Sequence, residues 1–267
     1  MKQIGQGRTA DIFETQENKI IKLYKMGFPQ DAINQEYLIS KFVYALGIHT
    51  PEPFELIQQD NRQGIIYRRI IGSTLLQMMS KSPWSIKKFS KKLAALHYEL
   101  HSYDASGVLS QQKKVLANNI QGAPFLSELE KSRIRDYLES LPEGNLLCHG
   151  DFHPDNVLIG EESWIIDWMT GTAGNPAGDA ARSVILFEYG TMPEGTPRLI
   201  KAAVSFLRNK IRKVYIKHYL DLSQMKYSDI DNWILPVAAA RLVEWIPQEE
   251  QDKLLLVIRE RLMKLAL

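Results

Sequence analysis

The chain has 267 residues, 45% of them hydrophobic, and 33 Lys plus Arg against 31 Asp plus Glu give a formal net charge of +2. So near-neutral a balance supplies no general attraction to nucleic acid or to an anionic membrane, and the length suffices for a full core in one large domain or two lobes. The one cysteine, Cys148, excludes an internal disulfide; it ends an apolar run and reads as a buried, inert thiol, which fits a reducing compartment. The opening "MKQIGQGRTADIFE" lacks an apolar segment of signal-peptide length, and no run of about 18 apolar residues occurs. A cytoplasmic protein without membrane or nucleic-acid contact is therefore expected, its oligomeric state left open.

The first 70 positions alternate short β-like runs with turns. "KQIGQG", "DIFETQENKIIKLYK" and "QGIIYRRII" read as strands, with "QEN" and "QDNRQG" as turns. Between them, Ile33, Tyr37, Phe42 and Leu46 recur at helical spacing, and Gly47 stands where the helix should end. "HTPEP" forces an extended segment, because proline disfavours helix before it.

From Gly72 the character changes. Ile86, Phe89, Leu93, Leu96 and Leu100 form the apolar stripe of a helix whose wet side carries Lys87, Lys88, Lys91 and Lys92. Residues 124–141 read as helix, residues 146–167 as β-loop-β, and everything beyond about Asp179 as helices. The pattern predicts an α+β fold of two lobes, a small β-rich one over 1–71 and a larger, mainly helical one over 72–267.

The densest chemistry lies in "LLCHGDFHPDNVLI". His149, Asp151 and His153 alternate as metal ligands on one strand face would, but Pro154 would break such a strand; zinc or iron stays as the alternative. A histidine, an aspartate two residues on and an asparagine five further on also reproduce the protein-kinase catalytic loop H-x-D-x-x-x-x-N. On that spacing Asp151 accepts the proton of an attacking hydroxyl and Asn156 is a metal ligand. Asp167, after the apolar run of "WIIDW", stands where a second ligand for Mg²⁺ belongs, and carboxylate and amide oxygens suit that hard ion.

The N-terminal lobe offers an independent check. "GQGRTADI" is G-x-G-x-x-A-x-I, a glycine-rich phosphate cradle that starts with Gly5 and Gly7. Lys22 ends an apolar strand and would face the phosphates of ATP. Its ammonium needs a carboxylate partner, for which Glu36 in the following helix is the candidate, and Glu52 and Glu55 are poorer ones.

"HGDFHPDNVLI", "WIIDW" and "GNPAGDAAR" together resemble the aminoglycoside phosphotransferase and choline kinase family, which shares the protein-kinase-like fold; "LAALHYELH" resembles the helix before its catalytic loop. The resemblance runs from Gly5 to about Arg182. It implies transfer of the γ-phosphate of ATP to the hydroxyl of a small molecule, with Asp151 as base, Asn156 and Asp167 on Mg²⁺, and Lys22 with Glu36 positioning the phosphates. It further implies that Asp179 braces the catalytic loop, that His149 is architectural, and that the backbone of Arg69 to Ile71 is the hinge that meets adenine. Trp168 and Met169 replace the Phe and Gly of protein kinases, and the short stretch from Asp167 to Asp179 leaves no room for a peptide-docking segment.

The acceptor is less defined. An aminoglycoside-like acceptor leads; choline or ethanolamine, thiamine and sugars are the other acceptors, and a nucleotide-binding pseudokinase scaffold is the reading from another class. A polycation would need acids, for which Glu188, Glu194, Glu244, Glu249, Glu250 and Asp252 are available. A quaternary ammonium would need an aromatic cage, for which Trp168, Tyr189, Trp233 and Trp245 are available. The basic run "RNKIRKVYIKH" reads as the wet side of a helix.

Overall fold

The computed structural model describes residues 1–15, 17–191 and 196–265. Its N-terminal runs form β1 (Lys2–Gln6), β2 (Ala10–Glu14) and β3 (Lys19–Tyr24), followed by helix α1 (Gln30–Ala45), β4 (Pro53–Gln59), β5 (Arg62–Arg68) and the short β6 (Ser73–Thr74). Helices α2 (Leu75–Lys81), α3 (Ile86–Leu100), α4 (Gln112–Gly122) and α5 (Glu128–Ser140) lead to β7 (Leu146–Cys148). Three short strands, β8 (Val157–Ile159), β9 (Ser163–Ile165) and β10 (Thr172–Gly174), precede α6 (Pro176–Tyr189), α7 (Arg198–Ser223), α8 (Tyr227–Arg241) and α9 (Gln248–Lys264). The α+β class expected from the hydrophobic patterning is the one observed.

The chain divides into two compact units, Met1–Lys81 with Pro154–Gly171, and Ser82–His153 with Thr172–Leu267. The expected division at 71/72 differs from this for a physical reason. Directly after Gly72, β6 pairs antiparallel with β8, Ser73 opposite Ile159. The backbones come so close that a Cβ on Gly72 would lie 2.6 Å from the Ile159 carbonyl oxygen. Residues 73–81 therefore stay with the first unit and draw the β8–β9 hairpin into it.

In the first unit a five-stranded antiparallel sheet runs in the order β1-β2-β3-β5-β4. The turn expected at "QEN" has left-handed Glu17 (φ 65°) and Asn18 (φ 58°), while Gln16 lies outside the described residues. Helix α1 ends at Gly47, which takes φ 78°, open to glycine without strain. Ile33 of α1 packs with Ala10, Tyr24, Ile65 and Tyr67 of the sheet, and Met169 closes the same core.

In the second unit α3 packs on α7, and α6 packs on α7 and α8. The lysines expected on the wet side of α3 are exposed, and its apolar stripe is buried apart from the half-buried Leu96. On α7, Ile211, Tyr215 and Tyr219 face inward while Lys210, Lys213 and Lys217 are exposed, so the basic run is the solvated side of a helix. Residues 146–167 are not a single β-loop-β unit. β7 pairs with β10, whereas β8 pairs with β6 and β9.

Candidate active site

The first unit assembles the expected phosphate-facing groups around Lys22. Facing side chains of β3 and α1 bring the Lys22 Nζ to 2.6 Å from Glu36 Oε1, in the almost fully buried interior. The Tyr24 hydroxyl donates to the other Glu36 oxygen at 2.5 Å, and Tyr67 to the first at 3.3 Å. Glu52 pairs instead with Arg68, so it does not compete for Lys22. Lys22 also reaches Asp167 Oδ1 at 2.7 Å. Burial opposes the charge on Lys22, but Asp167 and Glu36 outweigh it and push its pKa up, keeping the ammonium. For Glu36, burial pushes the carboxyl up against the pull of Lys22.

Asp167 and Asn156 are brought together by a hairpin. The Ile166 amide donates to the Asn156 carbonyl at 3.0 Å, so the two residues flank the same end of β8–β9. The hairpin is tied to the rest of its unit by the Ile165 amide on the His49 carbonyl (2.8 Å) and by Trp168 Nε1 on Thr50 Oγ1 (3.0 Å). Asp167 sits at φ 69°, a left-handed conformation that Asp tolerates better than most residues and that recurs at functional positions. Its side chain is 43% exposed, whereas Asn156 is buried.

Gly5 and Gly7 lie in the β1–β2 hairpin, with the Gly7 amide on the Ala10 carbonyl at 2.8 Å. Arg69 pairs through its guanidinium with Glu14, and its amide donates to the Asn18 carbonyl at 2.9 Å. Ile71 is 75% exposed.

The second unit holds the Asp151 loop by its backbone. Asn175 caps α6, its side chain accepting the Ala177 amide at 2.9 Å, and Asp179 follows in the first turn. The buried Asp179 carboxylate accepts the amides of His149 (2.6 Å) and Gly150 (2.8 Å). Gly150 takes φ 78° there, which glycine adopts without strain. Two buried histidines join it, His97 of α3 with Nε2 at 2.9 Å and His101, which caps that helix, with Nε2 at 3.2 Å from Asp179 Oδ2. Because a carboxylate only accepts, each Nε2 carries its proton, and each Nδ1 accepts from a tyrosine of α7: Tyr215 at 2.6 Å and Tyr219 at 2.7 Å. Burial resists ionisation of Asp179, but the histidines and their hydrogen bonds hold its carboxyl well below the usual range.

His149 is fully buried, and its Nδ1 accepts the Asp151 amide at 3.2 Å. That bond orients the loop, and His149, Asp151 and His153, the set for the zinc or iron alternative, do not converge as a ligand group among the described residues. Among the described residues, the three metal-capable side chains that converge are His97, His101 and Asp179, and they are joined by hydrogen bonds. Neither buried histidine was picked out by sequence reasoning as a site residue. Their signal is the i, i+4 pair in "LHYELH", matched by the i, i+4 tyrosines of "VYIKHY".

Asp151 itself lies between His153 and the Arg182 guanidinium. His153 Nε2 is 3.4 Å from one carboxylate oxygen and Arg182 Nη2 is 3.3 Å from the other. Burial opposes its ionisation, yet the His153 hydrogen bond and the Arg182 charge keep the carboxyl well below the usual range. Beyond Arg182 the charges alternate through Glu244, Arg241 and Glu250. Glu244 also lines an open cleft with Phe125 and Trp245. The other expected acids are engaged: Glu188 with Arg212, Glu249 with Lys253, and Asp252 with Gln248, while Glu194 lies outside the described residues. Trp168 and Trp233 are each 1% exposed, so neither lines a cage for a quaternary ammonium.

Comparison with known proteins gives the family and the fold. The sequence profile of the Phosphotransferase enzyme family matches residues 1–210. The chain belongs to this family, whose members move phosphate from ATP to hydroxyl groups, and it is a small-molecule kinase. Its fold is similar to an aminoglycoside-3′-phosphotransferase of type VIII, with TM-score 0.59 and 15% identity over 90% of this chain and 91% of the other. An ADP-bound aminoglycoside 2″-phosphotransferase of type Ib has TM-score 0.54 and 16% identity over 96% and 90% of the two chains. A 3″-phosphotransferase of the same group from Streptomyces rimosus has TM-score 0.56 and 12% identity over 86% and 89%. No curated protein matches by sequence.

Proposed function

We propose that the chain transfers the γ-phosphate of ATP, with Mg²⁺, to a hydroxyl of an aminoglycoside-like acceptor. The observation that carries this is the bracketing of Lys22 by the buried Glu36 and the part-exposed Asp167, at 2.6 and 2.7 Å. A lysine required only for packing would need one such partner; two carboxylates fix its ammonium in place and leave a second acid beside it for a cation.

Asn156 and Asp167 fit a hard ion, since their side chains carry amide and carboxylate oxygens and the Ile166–Asn156 backbone bond sets the two residues at one hairpin end. Mg²⁺ held by them would neutralise the charge that develops on the transferring phosphoryl group. Lys22 orients the phosphates, and the glycine hairpin at Gly5 and Gly7 covers them. Asp151 accepts the hydrogen bond of the acceptor hydroxyl and receives its proton late. A loose transition state demands little proton transfer early, so a carboxylate in this position serves to orient the hydroxyl and to take its proton.

The aminoglycoside-like acceptor is supported by the relatives, three of which are aminoglycoside phosphotransferases. The test is ADP release from Mg·ATP across a panel of gentamicin, streptomycin, hygromycin B, choline, thiamine and simple sugars. Asp151→Ala should lose about 10²- to 10⁴-fold in turnover. A protein that binds ATP but phosphorylates no member of the panel and releases no ADP would return the scaffold reading.

A further inference from the structure

Arg182 belongs to the second unit and has no role in the chemistry so far. It lies one turn of α6 beyond Asp179 and is 8% exposed. Its guanidinium makes a two-pronged contact with Glu244, Nη1 to Oε1 at 2.7 Å and Nη2 to Oε2 at 2.9 Å. The same Nη2 reaches Asp151 Oδ1 at 3.3 Å. Glu244 is itself fixed by Arg241 Nη1 at 2.6 Å, and Arg241 by Glu250 Oε1 at 2.6 Å through Nε. The Glu250 carboxylate ends the series on the Thr191 amide, at 3.1 Å.

The geometry has a direction. A fork on Glu244 locks the plane of the Arg182 guanidinium, because two parallel contacts allow one orientation. The locked plane aims the remaining N–H of Nη2 at Asp151. On the other side of Asp151 stands His153, so the carboxylate is held at both oxygens. The Arg182 Nε–H is buried without a hydrogen-bond partner among the described residues. Leaving a buried donor unmade is unfavourable. An arginine placed for packing alone would be expected to satisfy it.

We propose that Arg182 is a positioning residue for Asp151: the Glu244–Arg182 fork holds the Asp151 carboxylate in the orientation that meets the acceptor hydroxyl. This rests on the role of Asp151 proposed above. Arg182 touches neither nucleotide nor acceptor in this scheme and acts through Asp151.

The experiment is a double-mutant cycle of Arg182→Met and Asp151→Asn, read as ADP release from Mg·ATP with whichever panel acceptor wild type uses, or with water if none. Enzyme is added until the slowest variant is measurable. Arg182→Met should lose about 10- to 100-fold in kcat with the KM for ATP within about twofold of wild type. Arg182→Lys, which keeps the charge and loses the fork, should fall between the two. In the Asp151→Asn background the Arg182→Met loss should vanish, because residues acting as a unit are not additive. The same loss in both backgrounds, or an unchanged Arg182→Met enzyme, would overturn the proposal. Should Arg182→Met not fold, Glu244→Gln replaces it in the cycle, with a smaller kcat loss expected and the same criteria. Full activity in Asp151→Asn sinks the assignment of Asp151 itself, an outcome distinct from failure of Arg182 alone.

Discussion

The Asp179 carboxylate accepts the His149 amide at 2.6 Å from inside the second unit, with no exposure on either residue's side chain to speak of. One buried acid thereby satisfies the backbone of the loop that carries Asp151, and two histidines satisfy the acid.

Replacing that acid should unfold the unit rather than tune it. Asp179→Ala leaves two amides and two imidazole N–H groups facing a void, and breaking a buried charged network costs about 3–5 kcal/mol. Urea unfolding should show that loss or no soluble protein at all. Asp179→Asn keeps one acceptor and should lie between. Wild-type stability in Asp179→Ala would contradict the brace.

Stability should depend on pH through His97. Burial, then its neighbour His101, lowers its pKa from 6.5 to about 4 despite the attraction of Asp179. Between about pH 4 and 6.5 the unfolded chain therefore binds more protons than the folded one, so stability rises with pH across that window and falls on acidification through it. Two and a half pKa units correspond to about 3 kcal/mol at most. The depressed Asp179 acts only at pH values below that window. Urea midpoints at pH 7 and 5 should differ in wild type, and His97→Asn should flatten the difference, whatever its own baseline.

Lys22 should be irreplaceable by arginine. Its ammonium fits between Glu36 and Asp167 at 2.6 and 2.7 Å, and a guanidinium is larger and planar. Lys22→Arg and Lys22→Met should both lose on the order of 10²-fold in turnover. Recovery of near wild-type rates by arginine would show that charge alone suffices.

Gly174 and Gly178 make room for Gln112, whose side-chain oxygen accepts the Asn175 amide at 3.0 Å. A Cβ at Gly174 would lie 2.4 Å from the Gln112 Cβ, and one at Gly178 would lie 2.8 Å from both Gln112 Oε1 and the Trp233 ring. Gly174→Ala and Gly178→Ala should each cost about 1–3 kcal/mol by overpacking, visible as a lowered Tm. Gly122→Ala, with its nearest contact at 3.5 Å, should be tolerated far better.

Local physics made much of this protein legible. Period-two and period-3.6 patterning marked β1 to β3, β5, α1 and α3, because each buries one face against a neighbour. Spacing marked Asp151, Asn156 and Asp167, because a loop of fixed length carries them. Lys22 and Glu36 were paired by chemical need, and the fold meets it. Burial removes Trp168 and Trp233 from the aromatic set, since they are core residues, and leaves Trp245 exposed; an aromatic at helical spacing reads the same whether it faces a ligand or the interior.

What the sequence determined by itself is what depends on near neighbours: the α+β class, the spacing of Asp151, Asn156 and Asp167, and the amphipathic helices. What only the tertiary structure decided depends on partners far apart in the chain. β7 pairs with β10 and not across its own loop. His97 and His101 meet Tyr215 and Tyr219 across 118 residues. Arg182 reaches Glu244 across 62 residues and Asp151 across 31. A buried charge must find its counter-charge wherever the packed core brings one, and no local pattern records where that is.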